Sequence, residues 1–464
     1  MRLIGSLIAV IFSLLILPLQ AELRVGVGTS DITPPNGVPM AGYYHVRLSE
    51  GVHDPLQAKA IVLENGGVTA VLVTCDLVHL PHEIVGQARE AIQKEIGLPG
   101  SCAMISATHS HTGPVTSSVW LERTGGQASE LCKSYLQKLP SLIAKAVKTA
   151  QSRLQPAEVK AAAGEEAGLS FNRRYLMKDG TIGWNPGKLN PQTVRTVGPI
   201  DPQLPVVVFQ GAGAKSPTAV FVNFAMHLDT VGGLQYSADY PYTVSNLLSQ
   251  ALGPELLTVF TMGTAGNVNH VNVWSGTPQK GPEEGARIGT ILAAEVLKTL
   301  EKLGPVSTGP LQVKSEDVKL GLPRIEPGDL EKARQVAARY GKPDAAPFLD
   351  LVHAFKVLET AERQGRPIEA EVQVIALGDQ IAWVGLPGEI FVELGLAIKV
   401  ASPFRYTIIS TLSNGAFGYF PNLKAFAEGN YEPVSARTEP GSGERLVETA
   451  TRLLVESYKT AARQ

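Results

Sequence analysis

Val68-Thr69-Ala70-Val71-Leu72-Val73-Thr74-Cys75 is a β-branched and almost unbroken apolar run, and residues 82–96 beyond it place their apolar side chains with helical period. A strand with one wet face alternates apolar and polar residues, so a continuous run reads as a strand covered on both faces. The same two signals recur along the chain. Residues 58–63, 206–209, 219–224, 372–376 and 407–410 read as strands, and 128–149, 284–303, 330–340 and 444–462 as helices. The mixture predicts an α/β fold with a large mixed β-sheet flanked by helices. Residues 313–365, rich in charge and helix formers, read as a lobe packed on that sheet.

The chain has 464 residues, 44% hydrophobic and 18% charged, which excludes the disordered, fibrous and multi-span membrane classes and allows a sizeable core. No Gly/Ser-rich, Pro-rich or charged linker follows residue 22, so a single catalytic domain over 22–464 is expected. A net charge of -2 without runs of like charge gives no footprint for nucleic acid or for an anionic lipid surface. Residues 1–21, with Arg2, an apolar stretch over 3–19 and Ala21, read as a signal peptide, which predicts a periplasmic or secreted protein without stable membrane insertion after cleavage. The rival reading is a retained anchor, since about 20 apolar residues span a bilayer. Cys75, Cys102 and Cys132 cannot all pair, and one disulfide stays open.

Chemistry concentrates in Ala107-Thr108-His109-Ser110-His111-Thr112-Gly113-Pro114, directly after a probable strand. Residues at i and i+2 of an extended segment share a face, so both imidazoles can reach one site; the alternative is a pair of structural histidines. His227 follows another strand-like run, where it is either a core residue or part of a functional loop. Glu389, in Gly385-Leu386-Pro387-Gly388-Glu389, precedes a helical stretch. It either caps that helix or adds a hard anionic ligand to two imidazoles, the mixture that suits catalytic zinc. Tyr419 and Tyr431 stand in Gly- and Asn-rich loops, where spacing alone gives them no role beyond packing.

Several segments together resemble the neutral, non-lysosomal ceramidase family: Gly26-Val27-Gly28-Thr29-Ser30-Asp31-Ile32-Thr33-Pro34, Gly51-Val52-His53, Ala58-Lys59-Ala60, the Thr108 to Pro114 string, Asn172-Arg173, Phe224-Ala225-Met226-His227, Leu386-Pro387-Gly388-Glu389, and the stretch from Tyr419 to Glu432. The resemblance implies one zinc ion per chain held by His109, His227, Glu389 and Tyr419. It places His111 at the reacting carbonyl or its water, and Arg173 and Tyr431 on the substrate amide and its oxyanion. The implied reaction is attack of a zinc-activated water on an N-acyl bond, with ceramide or a ceramide-like lipid as leading substrate.

The chain departs from the family at Gly266-Asn267-Val268-Asn269-His270, where Asn269 occupies a serine slot. An amide cannot act as a serine nucleophile, but Asn269 can donate a hydrogen bond to the substrate or to water. His270 either compensates or caps a turn. The family's C-terminal immunoglobulin-like domain is expected to be absent, since the chain ends soon after the helix near 444. Two alternatives stand beside the leading one: the same zinc site acting on a glycan-, peptide- or ester-linked group, and a metal-containing binding protein without turnover. The oligomeric state has no signal in the sequence.

Overall fold

A computed structural model of the chain describes residues 22–342 and 344–462; the expected signal peptide, 1–21, lies outside the described residues. The long apolar runs form a nine-stranded mixed sheet. Its main path runs Leu257–Met262, Ala219–Phe224, Gln203–Gly211, Gln155–Glu165, Arg24–Asp31, Gln57–Asn65, Val68–Cys75, Ala103–Ala107. Most neighbours are antiparallel, but Val68–Cys75 with Ala103–Ala107 and Ala219–Phe224 with Leu257–Met262 are parallel pairs.

Both faces of this sheet are covered, as its unbroken apolar runs require. The helices His82–Ile96, Gly126–Ser152, Tyr240–Leu252 and Pro282–Leu300 close one face over a core that includes Val73, Ile105, Leu139, Val222 and Leu292. A second, four-stranded sheet covers the other face: Leu311–Leu320, Ile368–Leu377, Ile381–Gly385 and Tyr406–Ser410. Trp383 sits between the two sheets, with its ring centroid 6.4 Å from that of Phe209 and 6.0 Å from that of Phe221. Each such side chain contributes about 1.5–3 kcal/mol through burial. Helices Val392–Ala401 and Ser442–Ala461 close the outer face of the second sheet.

The span expected to form a lobe is divided. Residues Leu311–Leu320 join the second sheet, because their register with Ile368–Leu377 is maintained over the full strand. Only the helices Asp329–Ala337 and Phe348–Glu362 stand apart, and Phe355 packs on Tyr44 and Trp120 to form one wall of a cleft. Cys75, Cys102 and Cys132 are free, buried thiols.

The parallel pairs matter most for function, because loops leaving the carboxyl ends of such strands gather at one edge. Here they are stitched together: Thr108 N–H donates to Cys75 O (2.9 Å), Ala107 N–H to Leu412 O (3.2 Å), Asn414 N–H to Ile105 O (2.8 Å), and Thr411 N–H to Met262 O (3.0 Å).

Candidate metal centre

The strand Ala103–Ala107 ends two residues before His109, which takes φ 78°, a conformation uncommon for a side chain with a Cβ. The two histidines therefore do not share a face of an extended segment. The loop is held bent by His109 N–H donating to Leu77 O (2.8 Å), His111 N–H donating to Leu228 O (3.0 Å), and the Ser110 and Thr112 hydroxyls both donating to Ser237 O. The bend still brings the rings together, edge to face, with Nε2 of His109 and His111 3.2 Å apart.

His227 arrives from the loop after Ala219–Phe224. Its Nδ1 lies 2.8 Å from Ala265 O, and Nδ1 of His109 lies 2.8 Å from Val78 O. A carbonyl oxygen can only accept, so both Nδ1 atoms carry the proton and both Nε2 atoms hold the lone pair whenever the rings are neutral. Burial, with Arg173 nearby, pulls His227 down to about 4, so its ring is neutral near pH 7. Each Nε2 faces the same atom: Glu389 Oε2 is 3.3 Å from His109 Nε2 and 3.2 Å from His227 Nε2. That oxygen is buried and has no hydrogen-bond partner.

Glu389 does not cap the helix Val392–Ala401, whose N-cap is Phe391. Glu389 instead pairs in register with Tyr419 in a two-residue parallel ladder. Burial and the Glu389 carboxylate push the Tyr419 hydroxyl well up. Gly266 permits this approach: a Cβ there would stand 2.5 Å from Glu389 O.

Lone pairs aimed at a carboxylate repel it unless a cation lies among them. Two carbonyl-anchored imidazoles with one orphaned carboxylate oxygen form an N/O donor set that suits zinc. Among the described residues, His109, His111 and His227 form a group whose ligand atoms lie within 4.8 Å of one another, so a third imidazole joins the two expected as ligands.

The other expected site residues divide. His111 and Tyr431 line the cleft that opens onto this centre, together with His109, Glu389 and Tyr419. Tyr431 is fixed by contact with Trp184, at 4.4 Å between ring centroids, and by Asn430, whose side chain accepts from its N–H. Arg173 lies behind: Nε donates to Glu432 Oε1 (2.9 Å), Nη2 donates to Gly266 O (2.6 Å) and to the Tyr419 hydroxyl (3.1 Å), and Nη1 lies 3.3 Å from His227 Nε2. Asn269 bonds to other protein groups, donating to Asn185 Oδ1 of a distant segment (3.2 Å) and accepting from Val271 N–H in its own loop (3.0 Å). His270 Nε2 donates to Gln279 O (2.7 Å), the turn-holding alternative.

Sequence reasoning passed over Glu432, which is fully buried and pairs with both Arg173 and Arg174. It also passed over Asp229, two positions after His227 and 3.9 Å from His111 Nδ1. Neither has a spacing signal; the adjacency of Glu432 to Tyr431 was the only clue.

The chain is similar to known proteins in family and in fold. Residues 23–231 match the family model of neutral/alkaline non-lysosomal ceramidase, N-terminal domain. The crystal structure of neutral ceramidase from Pseudomonas aeruginosa is similar, with a TM-score of 0.73 at 19% identity over 95% of this chain and 75% of that one. A ceramidase complexed with C2 gives the same score and identity over 95% of this chain and 76% of that one. At such identity the likeness establishes the fold.

Proposed function

We propose that the chain, whose residues 23–231 match the neutral/alkaline non-lysosomal ceramidase family model, is a zinc-dependent amidohydrolase of that kind cleaving an N-acyl bond, with ceramide or a ceramide-like lipid as leading substrate. The observation that carries this reading is the convergence of two backbone-anchored imidazoles on one orphaned Glu389 oxygen. His109, His227, Glu389 and Tyr419 would hold the ion, with His111 within reach of the same point. Bound zinc supplies a Lewis acid and lowers the pKa of water from 15.7 towards about 7.

The chain's own groups supply the remainder. His111 Nε2 takes the proton of the attacking water and returns it to the leaving amine. Tyr431, in the cleft wall, donates to the developing oxyanion, where one such donor is typically worth about 2.7–4 kcal/mol. Arg173, with its donors already engaged, orients Tyr419 rather than reaching the substrate. Asn269, bonded to Asn185, carries an amide in place of a nucleophilic hydroxyl, so no acyl-enzyme forms at that position. Residues 1–21 are proposed as a cleaved export signal and 22–464 as the catalytic domain; among the described residues no helix is long and apolar enough to cross a membrane.

A second reading has its own support. The cleft, of about 1470 Å³, carries ionic side chains along its length, including Glu83, Glu122, Lys133, Glu359, Arg363 and Arg366. A long acyl chain prefers continuous apolar walls, so a polar N-acyl substrate is the alternative. Hydrolysis of a panel from N-acetyl sugars and amino acids to long-chain ceramides, with zinc assayed on the same preparation, separates the two. Zinc-dependent cleavage of ceramides supports the first, cleavage confined to polar amides supports the second, and zinc without turnover leaves only a binding protein.

A further inference from the structure

His109 and His227 each direct Nδ1 to a main-chain carbonyl. His111 does not: its Nδ1 is buried and has no hydrogen-bond partner. The acidic group facing it is Asp229, whose Oδ1 lies 3.9 Å away. That carboxylate is itself gripped. The Tyr43 hydroxyl donates to Asp229 Oδ1, and Lys280 Nζ lies 3.3 Å from the same oxygen while donating to the Tyr43 hydroxyl at 2.5 Å.

The ring of His111 is caged from several sides. Tyr43 meets it edge-on, with centroids 5.6 Å apart. Arg47 lies over the Tyr43 ring at 4.3 Å and donates from Nη2 to His111 O at 2.6 Å. Gly42 has φ 101°, and a Cβ there would stand 2.7 Å from His111 Cβ, Cγ and Nδ1. The ring therefore has little room to turn away from the carboxylate.

We propose that Asp229, clamped by Tyr43 and Lys280, is the positioning residue that fixes the Nδ1–H tautomer of His111, an inference that rests on amide hydrolysis at this site. Separation beyond hydrogen-bond distance is common for catalytic pairs before substrate binds. With the proton held at Nδ1, the His111 Nε2 lone pair points towards His109 Nε2 and the centre. There it accepts a proton from the attacking water as the C–O bond forms, and passes it to the amine nitrogen as the C–N bond breaks. Acid and amine result, and His111 returns to its starting tautomer. A carboxylate holding an imidazole in this way also stabilises the imidazolium formed midway.

Two measurements test this. In metal-free protein with 15N-labelled histidine, the wild type should show a protonated Nδ1 at His111, assigned by its loss in His111→Ala, and Asp229→Ala should abolish that signature. A wild-type proton on Nε2, or an unchanged Nδ1–H signal in Asp229→Ala, overturns the proposal even if no substrate is ever found. With an active substrate, Asp229→Ala should retain zinc and KM while kcat falls about 100-fold or more. His111→Ala and the double variant His111→Ala/Asp229→Ala should have equal kcat, because the second change has no ring left to position. Losses that multiply would instead mark Asp229 as structural. Asp229→Asn, of the same size, keeps the test open if the alanine variant fails to fold, and should lower kcat in the same way.

Discussion

Orientation of the centre follows from a single chemical fact, that Val78 O and Ala265 O cannot donate. His109→Ala removes one correctly presented Nε2 and should reduce zinc from one per chain to near zero by elemental analysis, whereas Asn269→Ser, at a side chain bonded to Asn185 and Val271, should leave zinc unchanged. Full zinc retention in the His109 variant would overturn the ligand assignment. Behind the centre, Glu432 pairs with Arg173 and Arg174 with no exposure of its own, and Glu428 also pairs with Arg174. Removing one partner of a buried pair leaves uncompensated charge and typically costs about 3–5 kcal/mol. Glu432→Ala should lower unfolding stability by that order in a urea titration; a loss under 1 kcal/mol would show that the pair is replaceable. The residue types of the site were legible in Thr108 to Gly113 and Gly388-Glu389, since imidazoles and a carboxylate clustered after strands are scarce. The role of Glu432 was not, because a buried counter-charge is recognised only by what lies beside it.

At the level of elements, the site is a junction of loops at the carboxyl ends of parallel pairs, and its tolerances are those of close backbone approach. Gly266 N–H donates to Ile390 O at 2.8 Å, and a Cβ at 266 would collide with Glu389 O. Gly266→Ala should therefore push the Glu389 segment outwards, costing about 1–3 kcal/mol of stability and weakening zinc retention during dialysis against a chelator. Unchanged zinc retention would show that the segment relaxes freely. Periodicity identified the strands that flank the site, since burial on both faces marks a strand at short range. It did not reveal the left-handed turn at His109, which is imposed by Leu77 O and Leu228 O from other loops.

Over the whole molecule, charge burial makes stability depend on pH. Burial pushes the Asp54 carboxyl up from 3.8 to about 6, although Ser237 Oγ and Ala238 N–H donate to it. A raised folded-state pKa contributes stability that is complete below about pH 4 and is lost as pH rises through about 6; the shift of about two units corresponds to about 3 kcal/mol. The stability difference between wild type and Asp54→Asn, from denaturant midpoints, should thus move towards the variant by about that amount between pH 4 and 7. A pH-independent difference would refute it. On the proposed ligand set a zinc ion would link residues from four separate loops, so chelation should lower Tm, with about 4 kcal/mol at stake when free zinc is a thousand times Kd. By itself the sequence determined the α/β class, the places where strands end, and that side chains of metal-ligating type stand there, because periodicity, burial and side-chain chemistry are local properties. Only the tertiary structure decided that a second sheet covers the first, that Arg173 stands behind Tyr419, and that Asp229 faces His111. Those depend on contacts between residues far apart in the chain, whose closure leaves no characteristic spacing to read.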